Sequence, residues 1–165
     1  PDIQFNEGDD FGWKVECALV QYLRDLDLKN DLVKTDSIGR KVYSRLFSDG
    51  AGITYPAIEV SEEGMSESFP DATDLHESVV YPFMITIVDK FSERRHDRKR
   101  IFKKWRGTIV DRLQRKLSVV GVLKDIVPEI YDVQVSPRQI FARDSEFMHV
   151  FSNIGVEITI RRQRG

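Results

Sequence analysis

Asp71, Asp74, His76 and Glu77 lie within seven positions of one another, the densest gathering of potential acid/base or metal-ligating groups in the chain. Carboxylates beside an imidazole can relay protons or hold a cation. A calcium loop, however, needs oxygen ligands at regular spacing around a glycine at its sharp turn, and Asp-Ala-Thr-Asp-Leu-His-Glu does not supply it. Zinc would require more nitrogen or sulfur ligands than one histidine. Nucleophilic catalysis is no better served, because His76, His96 and His149 are far apart and no serine or cysteine stands in a recognisable activating context. Cys17 follows Glu16, the opposite of the electropositive setting that lowers a thiol pKa. The pair Gly50 and Gly52 is followed by no strand-to-helix transition and no Lys-Ser or Lys-Thr, so it is not a phosphate cradle. The expectation is a protein with no enzymatic activity, no metal and no cofactor.

The chemistry that remains is electrostatic. Residues 94–116 carry eleven Lys or Arg against Asp97 and Asp111, a net +9, and since the whole chain is −2 the remainder is −11. Residues 61–78 read as an acidic loop with six carboxylates, among them Glu62, Glu63, Glu67, Asp71 and Asp74. Long aperiodic segments of this kind inside a compact domain are usually functional or disordered. A basic helix and an acidic loop in one chain would suit contacts between neighbouring copies. Nucleic-acid binding is the competing reading, because basic residues can neutralise phosphates in a salt-dependent way. No helix-turn-helix or zinc-finger pattern accompanies the charge.

These charges must be placed by a fold. At 165 residues, with 41% hydrophobic residues, the chain is expected to form one domain with a core of its own. No apolar run approaches the roughly 20 residues of a membrane span, and the acidic start lacks signal-peptide order. A non-secreted protein with no membrane contact is the expectation, and one cysteine cannot form an internal disulfide. Residues 1–10 read as an N-terminal arm and residues 161–165 as a basic tail.

Residues 11–34 carry Val15, Ala18, Leu19, Tyr22, Leu23 and Leu26 at helical spacing, with Trp13, Cys17 and Val20 nearly opposite as a smaller apolar strip. Trp13 and Val20 are therefore candidate subunit contacts. Residues 42–47 form a short apolar run. ITYPAIEV (53–60) and VVYPFMITIVD (79–89) read as strands, the second apolar on both faces and hence central. A second helix is expected over 97–118. With Trp105 set at 0° on its wheel, Ile101, Phe102, Ile109 and Leu113 fall between about −40° and +80°, a core stripe. Arg100, Lys103, Lys104 and Arg115 fall between about 160° and 280°, a candidate partner face that Gly107 shares. Residues 119–128 read as a turn or helix end. Beyond them come strands: Tyr131, Val133 and Val135 on one face, a brief pairing near 139–142, a segment over 147–151, and 154–160 alternating with one wet face. The expected fold is α+β, a mostly antiparallel sheet of about five strands on two main helices, in the order α-β-β-α-β-β-β.

The opening helix, the Tyr-Pro-Ala-Ile-Glu-Val strand, the Tyr-Pro-Phe-Met-Ile-Thr-Ile-Val-Asp strand running into a basic helix, and the closing alternating strand together resemble the tail terminator (tail completion) proteins of tailed bacteriophages. The resemblance spans about residues 11–161 and is one of pattern and length, without an invariant motif. It implies a virion protein, assembled in the host cytoplasm, that forms a homo-oligomeric ring, commonly a hexamer. Such a ring caps the tail tube protein and joins it to the head–tail connector, with non-specific contact to DNA in its lumen. Another neck or head-completion protein, or a small nucleic-acid-binding α+β domain, are the alternatives.

Overall fold

The computed structural model describes residues 5–6, 8–26, 28, 42–44, 57–63, 67–70, 76–90, 95–137, 142–144 and 149–163. In chain order these form α1 (Phe11–Asp25), β1 (Val42–Ser44), β2 (Ala57–Glu62), β3 (Glu67–Pro70), β4 (His76–Lys90), α2 (Arg95–Gln114), α3 (Lys116–Ile126), β5 (Ile130–Pro137), β6 (Ala142–Asp144) and β7 (His149–Gln163). The class is α+β. The described residues hold three helices and seven strands where the sequence led us to expect two and about five, and the element order differs accordingly.

The sheet runs β1-β2-β4-β7-β5, with β3 paired beside β4 and β6 beside β7. β1 is parallel to β2, and every other pairing is antiparallel. At its centre β4 and β7 pair over their full lengths, fifteen residues each, in a register that sets Phe83 opposite Val156 and Ile85 opposite Ile154. The segments expected at 147–151 and 154–160 are thus one strand from His149 on, with residues 147 and 148 outside the described residues. Its three residues Arg161, Arg162 and Gln163 continue the ladder against His76–Ser78 instead of forming a tail.

Pro82 sits in the middle of this central strand, a place where proline ordinarily breaks a ladder. Its carbonyl accepts from Glu63 N–H at 2.8 Å, so its nitrogen also points toward β2. β2 stops pairing at Glu62, opposite Phe83, and β3 begins at Glu67, opposite Val80. The missing donor therefore falls in the gap where one partner strand gives way to the next. The described residues of the acidic loop expected over 61–78 are nearly all in strands for the same reason: the N-terminal half of β4 takes β3 as partner once β2 has left. Residues 64–66 and 71–75, with Asp71 and Asp74, lie outside the described residues.

One face of the sheet is covered. Val79, Tyr81, Phe83, Ile85 and Ile87 of β4, Ile58 and Val60 of β2, Ile154, Val156, Ile158 and Ile160 of β7, and Ile130 and Val133 of β5 join apolar residues of all three helices in one core cluster. Ile130 and Val133 are both buried although three positions apart, because a bulge at Tyr131 shifts the register between Ile130 and Asp132. Tyr131 is thereby turned out, 44% exposed, and not aligned with Val133 and Val135 as strict alternation predicted.

α1 begins where the Asp10 carboxylate accepts from Gly12 N–H at 2.9 Å, an N-cap. A Cβ on Gly12 would lie 2.7 Å from that carboxylate and 3.3 Å from the Tyr81 ring, so a larger residue would displace the cap and crowd the ring. Residues 1–10 are more than an arm: Asp10 caps the helix and Phe5 packs against the core. The helix ends at Asp25, earlier than expected, in a tight turn closed by Leu26 N–H to Leu23 O, after which Leu28 returns to the core. Residues 29–34 of the expected helix lie outside the described residues.

The long basic helix is two helices. Arg115, at φ −79° and ψ 70°, interrupts it, and α3 continues through residues expected to be a turn or helix end. Arg115 carries no glycine, proline or side-chain cap to announce the break. Tertiary packing accounts for it: the new direction lets Val119 and Leu123 bury completely, at the expense of Leu117, left 95% exposed.

Candidate functional site

The core stripe of α2 is as expected, with Ile101, Phe102, Trp105, Ile109 and Leu113 each 2% exposed or less. Arg100, Lys103 and Lys104 are exposed on the opposite side. Gly107 lies among them, and a Cβ there would meet nothing within 4 Å, so no described neighbour explains the glycine. Arg115 is tied to Asp111 at 2.8 Å in an i, i+4 pair whose side chains are 57% and 60% exposed, which leaves it worth at most a few tenths of a kcal/mol. The outer face of α2 is thus cationic in its N-terminal half and self-neutralised toward its end.

One cation of this helix does something else. Arg106 is only 7% exposed and reaches across to β7, donating to Ser152 Oγ at 3.0 Å and to Asn153 O at 2.5 Å. Burial depresses its pKa. Sequence reasoning missed it, although two signals were present. Arg106 stands at 100° on the wheel, beside the stripe, and Ser152 is the polar member of the otherwise aliphatic inward series Ile154, Val156, Ile158, Ile160.

The remaining candidates divide. Val20 is fully buried and Cys17 nearly so, because α1 is enclosed on that side too, and the proposed apolar strip cannot meet a partner there. Trp13, 38% exposed, is what remains of it. Glu62 is exposed at the end of β2; partial desolvation, then the Asp10 carboxylate, push its pKa up. Glu63 is partly exposed just past β2, and Glu67 opens β3 opposite Val80. His76 and Glu77 are successive residues of β4 and so point to opposite faces, which separates the acid/base pair considered above. Glu77 instead pairs with Arg162 at 2.5 Å. Among the described residues no group of three His, Cys, Asp or Glu is arranged to hold a metal ion.

Burial, then the neighbouring Glu16 and Asp9, raise the Cys17 thiol to about 11. The folded protein should therefore react with a thiolate-directed reagent at pH 8 about two orders of magnitude more slowly than the unfolded chain, from ionisation alone. Equal rates in native buffer and in denaturant would refute this placement. Because the unfolded thiol, near 9.0, ionises before the folded one, this group costs no stability below pH 9 and removes some between about 9 and 11.

The second surface is the face of the sheet that no described helix covers, although its Ala57–Val88 end is buried. Val80, Pro82, Met84 and Thr86 of β4, with Ser61 of β2 and Asn153 and Thr159 of β7, alternate with the core positions and are only partly buried. None of them joins the cluster packed with the helices. Thr86 donates to Asn153 Oδ1 at 3.1 Å across this face, and Gly155 lies level beside Met84. Glu59 and Glu157 flank the central strip, Asp132 stands at its β5 edge within 3.7 Å of Lys116 Nζ, and Tyr131 reaches over to Ser78 Oγ at 2.9 Å. Arg161 is the cation of this face among the described side chains, at the far end of β7.

Among the described residues the arrangement offers a cationic helix surface on one side of the sheet and an uncharged strip edged by carboxylates on the other. No protein-family model and no curated protein matches the chain.

Proposed function

We propose that this chain is a structural, non-enzymatic subunit of a phage virion that assembles as a ring at the end of the tail tube, of the tail terminator type. The resemblance of its sequence, in pattern and length, to that family supplies the kind of assembly. The observation that carries the reading is the outer face of α2: Arg100, Lys103 and Lys104 are exposed around an unexplained Gly107, while the apolar side of the same helix is wholly taken up by the core. Such a surface is a contact for another molecule. Phe102 and Trp105, the aromatics of the helix, are buried and so not available to stack on bases, which weighs against single-strand recognition. A hexameric ring would meet the tail tube protein on one side and the head–tail connector on the other, with DNA passing through its lumen.

Sedimentation velocity combined with negative-stain imaging tests this. Closed rings of about six copies are expected, since a heterologous interface whose rotation closes generates a ring. A monomer that retards duplex DNA in a salt-sensitive manner would replace the reading with the nucleic-acid-binding one.

A further inference from the structure

We propose that the open face of the sheet is the seat for the outer face of α2 from a second copy of this chain. The inference rests on the ring reading and names its interface. Charge is the first argument. The helix surface brings Arg100, Lys103 and Lys104, and the sheet surface brings Glu59 and Glu157 on either side of an uncharged strip made by Val80, Pro82, Met84 and Thr86. A central strip free of charge with charged flanks is the composition of an interface core and rim.

Shape is the second. α2 has twenty residues and is about 30 Å long at 1.5 Å per residue. The partly exposed strip from Val80 to Thr86 is seven residues of β4, about 24 Å at the antiparallel rise, long enough to seat the stretch of α2 from Arg100 to Gly107. Gly107 stands midway along the cationic surface with open space where a Cβ would be. Gly155 lies beside Met84 on the sheet. The two glycines let a helix backbone approach the sheet more closely than side chains would otherwise allow.

Position is the third. The two surfaces lie on opposite sides of the sheet, the described helices on one and the partly exposed strip of β4 on the other. Each copy can therefore give its helix face to one neighbour and its sheet face to the next, the head-to-tail relation that a ring of side-by-side subunits requires.

A charge swap tests the pairing. Glu157→Lys makes the sheet face cationic, and Arg100→Glu with Lys103→Glu makes the helix face anionic. All three positions are exposed, so far-ultraviolet circular dichroism should match the parent chain. Each variant alone opposes like charges and should associate about tenfold or more weakly than the parent by sedimentation velocity. An equimolar mixture should recover rings, because in an alternating even-numbered ring every contact again joins opposite charges. The triple substitution in one chain should recover them as well. Glu157→Gln, which removes charge without reversing it, should weaken assembly less than Glu157→Lys. If the parent forms rings and the single-face variants do so equally well, or the mixture fails to recover them, this pairing is wrong while the ring reading stands. If the parent never assembles, both fall.

Discussion

Trp105→Ala should lower the free energy of unfolding by about 3–5 kcal/mol, the largest effect expected of any single substitution in α2. Trp105 is 2% exposed, and its ring lies 6.0 Å from that of Phe102 in a tilted arrangement. Both belong to the cluster that joins the helices to β4 and β7, so truncation removes a large buried surface and leaves a cavity that rigid neighbours cannot close. The measurement is a urea titration in which the midpoint falls while the slope is unchanged. Since a loss of this size is a large part of the 5–15 kcal/mol that holds a typical domain, the variant should be unfolded in part at modestly raised temperature. A change below about 1 kcal/mol would mean that α2 presents a different side to the sheet.

Arg106→Met should cost about 2–4 kcal/mol, an effect that would be out of place for an arginine on a solvated basic helix. The methionine keeps most of the side chain's apolar stem and so isolates the polar contribution. What is lost is a guanidinium held between Ser152 Oγ and Asn153 O, leaving a fully buried hydroxyl without that donor. Adding Ser152→Ala should return part of the loss, because removing both polar partners is less costly than removing one. Strict additivity of the two substitutions in a double-mutant cycle would show that they do not interact. Arg100→Met and Lys103→Met, on the exposed side of the same helix, should each stay within about 0.5 kcal/mol of the parent. The contrast distinguishes a cation that pins α2 to β7 from cations available to a partner.

Hydrophobic periodicity carried much of the fold into view. The stripe Ile101, Phe102, Trp105, Ile109, Leu113 could be read directly, as could the central place of β4 from its two apolar faces, because a period of 3.6 or 2 is written in local spacing. Boundaries were less legible. Arg115 breaks the basic helix without a glycine, proline or cap, since the gain lies in burying Val119 and Leu123 against elements distant in sequence. Residues 67–70 look like part of an acidic loop because a strand of four residues has too few alternations to register, and its pairing with β4 is set by where β2 ends. The bulge at Tyr131 inverts an alternation that was locally clean.

The candidate surfaces show the same division. The sequence by itself determined that charge is segregated, with eleven cations in residues 94–116, and that one side of α2 must face a core. Composition and helical angle are local quantities, and they suffice for that. Only the tertiary structure decided that Arg106 turns inward, that Val20 is enclosed, that Arg162 answers Glu77, and that the strip from Val80 to Thr86 lies on the side of the sheet away from the described helices. Each of those depends on which element lies across from a residue, and such long-range pairings come from the packing of the whole chain, which no local spacing encodes.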